Sequence, residues 1–187
     1  MPVKFSFKNP YLKTWLLLHQ TYNLVLRSED NAFAKEGITT QQHSVLMAIR
    51  YMRTPVTPTE VANWLDRNPN GISMLIDRME KDGLVKRVKD LHDRRSVRLV
   101  ITKKGNEILN RATVIGWQLI EKILSDIQEE ELLLLTDMLE KVREKAFEYL
   151  HPDRNMTEIK IKNEEQQMNQ FFTDMSKYSE IEPDKLR

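Results

Sequence analysis

The sequence predicts a mainly α-helical protein with one small β-hairpin. Three observations carry that reading. Apolar residues recur at helical spacing over most of the chain. Two helix-start signals, each a capping residue followed by proline, stand only eleven residues apart at Thr57-Pro58 and Asn68-Pro69. Two valine-rich runs, Leu84-Val85-Lys86-Arg87-Val88 and Val97-Arg98-Leu99-Val100-Ile101, flank a polar, basic loop.

Each element has its own local cause. Residues 1–9 read as a loose arm. Asn9-Pro10 then opens a helix whose stripe is Leu12, Trp15, Leu16, His19, Tyr22, Val25 and Leu26, and Gly37 stops it. Thr39 and Gln42 form a capping box for a second helix through Val45, Leu46, Ile49 and Met52, ended by Pro55. Thr57-Pro58-Thr59-Glu60 starts a short third helix with Val61, Ala62, Trp64 and Leu65 on its apolar face. Asn68-Pro69 starts a fourth through Ile72, Leu75, Ile76 and Met79, closed by Gly83. Two short helices joined by a tight turn, the second with small polar residues near its start, make a helix-turn-helix pattern. The hairpin follows, with Lys89 to Ser96 as its charged tip. Thr102 caps a helix over about 103–124, and Ser125 with Gln128, or Asp126 with Glu129, starts another. The stripe Leu132, Leu135, Met138, Leu139, Val142, Ala146 and Leu150 suits a long packed helix, against this chain or a partner chain. Pro152 breaks it. Beyond, Ile161, Met168, Phe171, Phe172, Met175 and Tyr178 lie on one face of an expected amphipathic helix.

Composition narrows the function. The 187 residues fit one domain with an extension, large enough to bury a core unaided. No cysteine is present, which excludes disulfides, thiolate zinc sites and catalytic or redox-sensing thiols. Five glycines leave little material for phosphate loops, and no nucleophile elbow or paired-carboxylate signature occurs, so an enzyme is not expected. The longest apolar runs fall far short of a membrane span, and no signal core is visible, so the expected location is the cytoplasm. His19, His43, His92 and His151 share no helical metal-ligand spacing, so neither metal nor cofactor is expected.

The net charge of +1 conceals a gradient. Residues 1–49 carry +2, residues 50–105 carry +6 and residues 106–187 carry −7. A basic excess that coincides with a helix-turn-helix and hairpin is the footprint of phosphate binding.

Residues 57–105 resemble the winged-helix regulators of the MarR family, the multiple antibiotic resistance regulators. The specific match is Asp93-Arg94-Arg95-Ser96-Val97-Arg98-Leu99-Val100-Ile101-Thr102-Lys103-Lys104-Gly105, like that family's wing, an Asp-Arg-Arg tip leading into a strand that ends in Leu/Ile-Thr-x-x-Gly. Upstream, Ile76-Asp77-Arg78-Met79-Glu80-Lys81-Asp82-Gly83-Leu84-Val85 looks like the end of the recognition helix and the turn into the wing. The resemblance extends over roughly residues 10–150 and leaves the tail beyond 151 outside it.

The resemblance implies a winged helix-turn-helix domain at 37–105, flanked by dimerisation helices at 1–36 and 106–150, with 151–187 as an extension. It also implies a homodimer on a pseudo-palindromic duplex operator, usually a repressor, responsive to a small aromatic ligand. The expected DNA-binding residues are Asn68, Asn70, Ser73, Met74, Arg78, Lys86, Arg94, Arg95 and Arg98. Asn70 and Ser73 can meet a base edge or a phosphate. Met74 can touch a thymine methyl or pack. Arg94 is the candidate for a narrow minor groove, while Arg95 or Arg78 can pair with Asp93 instead. Lys86, Arg87, Arg98 and Lys103 are candidate phosphate contacts. Trp15, His19, Tyr22, His43, Met47 and Trp117 are the candidate ligand pocket. Pro69, Gly71 and Met74 depart from the family pattern, which leaves open a protein-interaction module that reads no sequence.

Overall fold

The computed structural model describes residues 9–52, 56–89, 97–153 and 173–174. Within them run α1 (Pro10–Phe33), one 3-10 turn (Ala34–Glu36), α2 (Thr40–Tyr51), α3 (Pro58–Trp64), α4 (Pro69–Lys81), β1 (Val85–Lys89), β2 (Val97–Ile101), α5 (Lys103–Leu124) and α6 (Glu129–Leu150). The fold is mainly α with one hairpin, as the sequence predicts.

The caps explain the boundaries. Asn9 Oδ1 accepts from the amides of Tyr11 and Leu12. Thr39 and Gln42 close a reciprocal box at the start of α2, and Thr57 and Glu60 close another at α3, where Glu60 takes the Thr57 amide at 2.7 Å. Asn68 Oδ1 accepts from the Asn70 and Gly71 amides. The α3–α4 turn contains no glycine. Asp66 adopts φ 48 there, a left-handed conformation that aspartate tolerates better than most residues.

Three boundaries differ from expectation. The second helix stops at Tyr51, one residue before Met52. The first strand begins at Val85, because the Leu84 amide still bonds the Met79 carbonyl at 2.8 Å and finishes the turn out of α4. The last long helix is opened neither by Ser125 nor by Asp126. Glu131 accepts from the Gln128 amide at 3.1 Å, so Gln128 is the cap. Ser125 Oγ instead donates back to the Lys122 carbonyl at the end of α5.

One core joins α2, α3, α4, the hairpin and α5. Leu46, Val61, Ile76, Met79, Val85 and Leu109 are buried at its centre. The α4 stripe of Ile72, Leu75, Ile76 and Met79 faces inward, which fixes the opposite face outward. β1 and β2 pair antiparallel from Val85↔Ile101 to Lys89↔Val97. The Leu99 amide also bonds the Val56 carbonyl at 2.7 Å, tying the hairpin to the entry of α3. α1 packs on α5 through Phe33, and Glu36 pairs with Arg111 at 2.6 Å.

Candidate nucleic-acid interface

The outward face of α4 runs Asn70, Met74 and Arg78, one turn apart, with Ser73 half-buried beside them. Asn68 is exposed, and its side-chain oxygen is committed to capping the Asn70 and Gly71 amides. A groove of about 850 Å³ runs along this face. Asn68, Gly71, Met74 and Arg78 line it from α4. Gln41 and Ser44 of α2 and Arg67 of the α3–α4 turn line it too, and sequence reasoning missed all three. No local pattern singles them out, since they reach the groove only through tertiary packing.

The hairpin sorts its cations by pleat. Directly paired residues share a face, so Lys86, Val88, Arg98 and Val100 lie on one side and Val85, Arg87, Leu99 and Ile101 on the other. Lys86 is exposed and Arg98 half-buried on the first face. Lys103 stands exposed at the start of α5, 3.9 Å from Glu107. Arg94, Arg95 and their expected partner Asp93 lie outside the described residues.

Arg87, a candidate phosphate contact, turns back onto α4, pairing with Asp77 at 2.6 Å and Glu80 at 2.7 Å, while its amide bonds Glu80 at 2.8 Å. That amide bond first, then the guanidinium, hold the Glu80 carboxyl below the usual carboxylate range. These contacts fasten β1 to α4. Arg87→Gln is expected to lower affinity for a specific duplex several-fold. The slope of log affinity against log salt stays unchanged, whereas a lost phosphate contact would lower it by about one per protomer. Binding titrations across a salt series separate the two.

A tight helical turn feeding an outward helix face, braced to a hairpin, is the winged helix-turn-helix arrangement. Residues 36–96 match the family model described as MarR family. The chain carries this MarR-family match over about a third of its length. It is 29% identical to the HTH-type transcriptional regulator PecS of Dickeya dadantii, over 64% of this chain and 73% of that protein. Its fold matches a mutant MarR from E. coli crystallised with operator DNA at TM-score 0.66 and 24% identity, covering 74% of this chain and 99% of that one. It also matches the organohalide-sensing RdhR transcriptional regulator in its 2,4-dichlorophenol-bound form at TM-score 0.70 and 22% identity, covering 83% of this chain and 95% of that one. The fold of this chain is therefore that of the winged-helix transcriptional regulators it resembles.

The six candidate pocket residues separate into two groups. Trp15, His19 and Tyr22 lie exposed along α1, with the Trp15 and His19 rings edge-on at 4.8 Å. Met47 packs against the core from α2. His43 stacks on Phe33 at 4.4 Å, and Phe33 also abuts Gly116, the neighbour of Trp117. His43 Nε2 and Trp117 Nε1 are buried with no hydrogen-bond partner among the described residues. Burial first, then the charge of Arg50, lower the His43 pKa to about 4, so its imidazole is neutral at pH 7. Among the described residues no helix is long and apolar enough to cross a membrane, and no side-chain group could hold a metal ion.

Proposed function

We propose that two copies of this chain bind one pseudo-palindromic duplex and repress transcription until a small aromatic ligand binds. Each copy seats α4 in a major groove and directs its wing tip toward the flanking minor groove. The observation that carries this reading is the exposed polar and basic face of α4, set in a segment of net charge +6. The acidic C-terminal helices keep DNA on that side of the molecule.

A second copy of the chain answers a separate feature. α6 has no buried residue, although Leu133, Leu134, Met138 and Leu139 are all at least 44% exposed. α1 leaves Tyr11, Trp15, Leu16 and Leu17 in water as well. Apolar faces of that extent are covered in a stable protein. Two unpartnered buried nitrogens, His43 Nε2 and Trp117 Nε1, support the ligand, because buried polar atoms are nearly always satisfied. An aromatic ring bearing an oxygen acceptor would satisfy such a donor. The ligand in the organohalide-sensing relative's structure is a compound of that kind.

Selection of duplexes from a random library by the full chain tests the reading. The expected product is an inverted repeat with half-sites about 34–36 Å apart, bound by a dimer, with affinity falling steeply as salt rises. Arg94→Ala should weaken binding most where the flanks are A·T-rich. Equal binding by that variant across the salt range would remove the minor-groove role. No preference for any duplex over random DNA would leave a protein-interaction module instead.

A further inference from the structure

Met74 is anomalous on the face it occupies. The inward stripe of α4 is already filled by Ile72, Leu75, Ile76 and Met79, so nothing in the core calls for it. Its side chain is 66% exposed, one turn beyond Asn70 and one turn short of Arg78. Gly71, on the same face, adds to the opening, since a methyl group placed there would meet nothing within 4 Å. Arg67, Asn68 and Arg78 line the same groove, with Asp66 as its one carboxylate. An apolar, polarizable side chain thus stands exposed in a polar groove whose lining carries a net positive charge.

That lining selects an anionic partner surface, and the thioether requires an apolar spot within it. Duplex DNA offers one such spot in the major groove, the C5 methyl of thymine. Methionine is unbranched and adapts to a small apolar group more readily than a stiff side chain does. The geometry points to Met74 as a specificity residue that fixes one thymine in each half-site through its C5 methyl. This rests on the reading that α4 enters the major groove. Asn70 and Arg78, one turn to either side, would then read or anchor the flanking positions.

The test uses deoxyuridine, which keeps every hydrogen-bonding group of thymine and removes only the methyl. Each thymine of the selected half-site is replaced in turn, and affinities are measured with the full-length dimer. One position is expected to lose affinity about three- to fivefold, the worth of one buried methyl. Met74→Ala is expected to bind the parent duplex more weakly and to lose sensitivity at that position alone. Met74→Leu, which keeps an apolar tip, retains it. Sensitivity to deoxyuridine at no position overturns the proposal. So does sensitivity that persists unchanged in Met74→Ala. If no duplex is selected at all, the DNA-binding reading beneath the proposal fails first, and the two failures are distinct.

Discussion

Gly105→Ala is expected to destabilise the protein by about 1–3 kcal/mol, the range for overfilling a packed site. The direction runs against helix propensity, which favours alanine over glycine by about 1 kcal/mol inside a helix. Gly105 sits in the first turn of α5 and is buried. A Cβ there would press into the carbonyl oxygen of Leu84 and come within 2.8 Å of Ile101 Cγ2. The Leu84 carbonyl cannot retreat. It already accepts the Thr102 amide at 3.0 Å, and Thr102 Oγ1 donates to the Gly83 carbonyl at 2.6 Å. Thr102 Oγ1 also accepts the Gly105 amide at 3.0 Å. Glycine therefore lets the start of α5 touch the turn between recognition helix and wing. Gly71→Ala is the control, because an added methyl there meets nothing within 4 Å. That variant should be neutral or gain up to about 1 kcal/mol. Urea midpoints at constant m-value measure both. Parallel shifts of the two variants would refute the close approach.

The same corner shows what a sequence discloses. Thr102 and Gly105 are legible as a cap and a family motif, because both signals are local. So are the boxes at Thr39 and Thr57 and the Asn68-Pro69 start, where cap and amide lie two or three residues apart. The start of α6 is local too but misread. Glutamine is an uncommon cap, and Ser125, the better cap by type, spends its hydroxyl on the helix behind it. The role of Arg87 is not local. Its two carboxylates lie seven and ten residues back, across the exit from α4, and only the turn at Gly83 brings them together. A basic wing strand gives no hint that one of its cations faces inward. For the α4 face the sequence names the residues but not their company. Periodicity puts Met74 off the apolar stripe, yet its exposure and the neighbours Gln41, Ser44 and Arg67 are tertiary facts. The stripes of α1 and α6 have the opposite limitation. Their helical spacing is plain, and among the described residues one chain alone leaves much of each stripe exposed.

Acid is expected to weaken the fold through His43, by up to about 3 kcal/mol between the ordinary histidine value of 6.5 and its folded value of about 4. Above pH 6.5 the imidazole is neutral in both the folded and the unfolded chain and contributes nothing to the pH dependence. As pH falls below that value, the unfolded chain takes up a proton that the folded chain refuses. Burial and the nearby Arg50 charge disfavour a cation beside Phe33. Stability therefore declines across the window and levels off once the folded form is protonated too. Other groups titrate on the acid side. Glu80, held low by Arg87, loses its contribution as pH falls further. Glu29, raised by burial and then by Asp30, acts in the opposite sense. Comparison with His43→Phe removes these shared effects and keeps a flat ring on Phe33. The difference in unfolding free energy between wild type and variant should change steadily from pH 7 to pH 4.5. A difference constant over that range would show that His43 does not titrate with a lowered pKa. A sloping difference has a consequence for ligand binding. At neutral pH, His43 and Trp117 would offer uncharged nitrogens to a ligand. Uncharged donors of this kind suit the oxygen of a neutral phenol or amide.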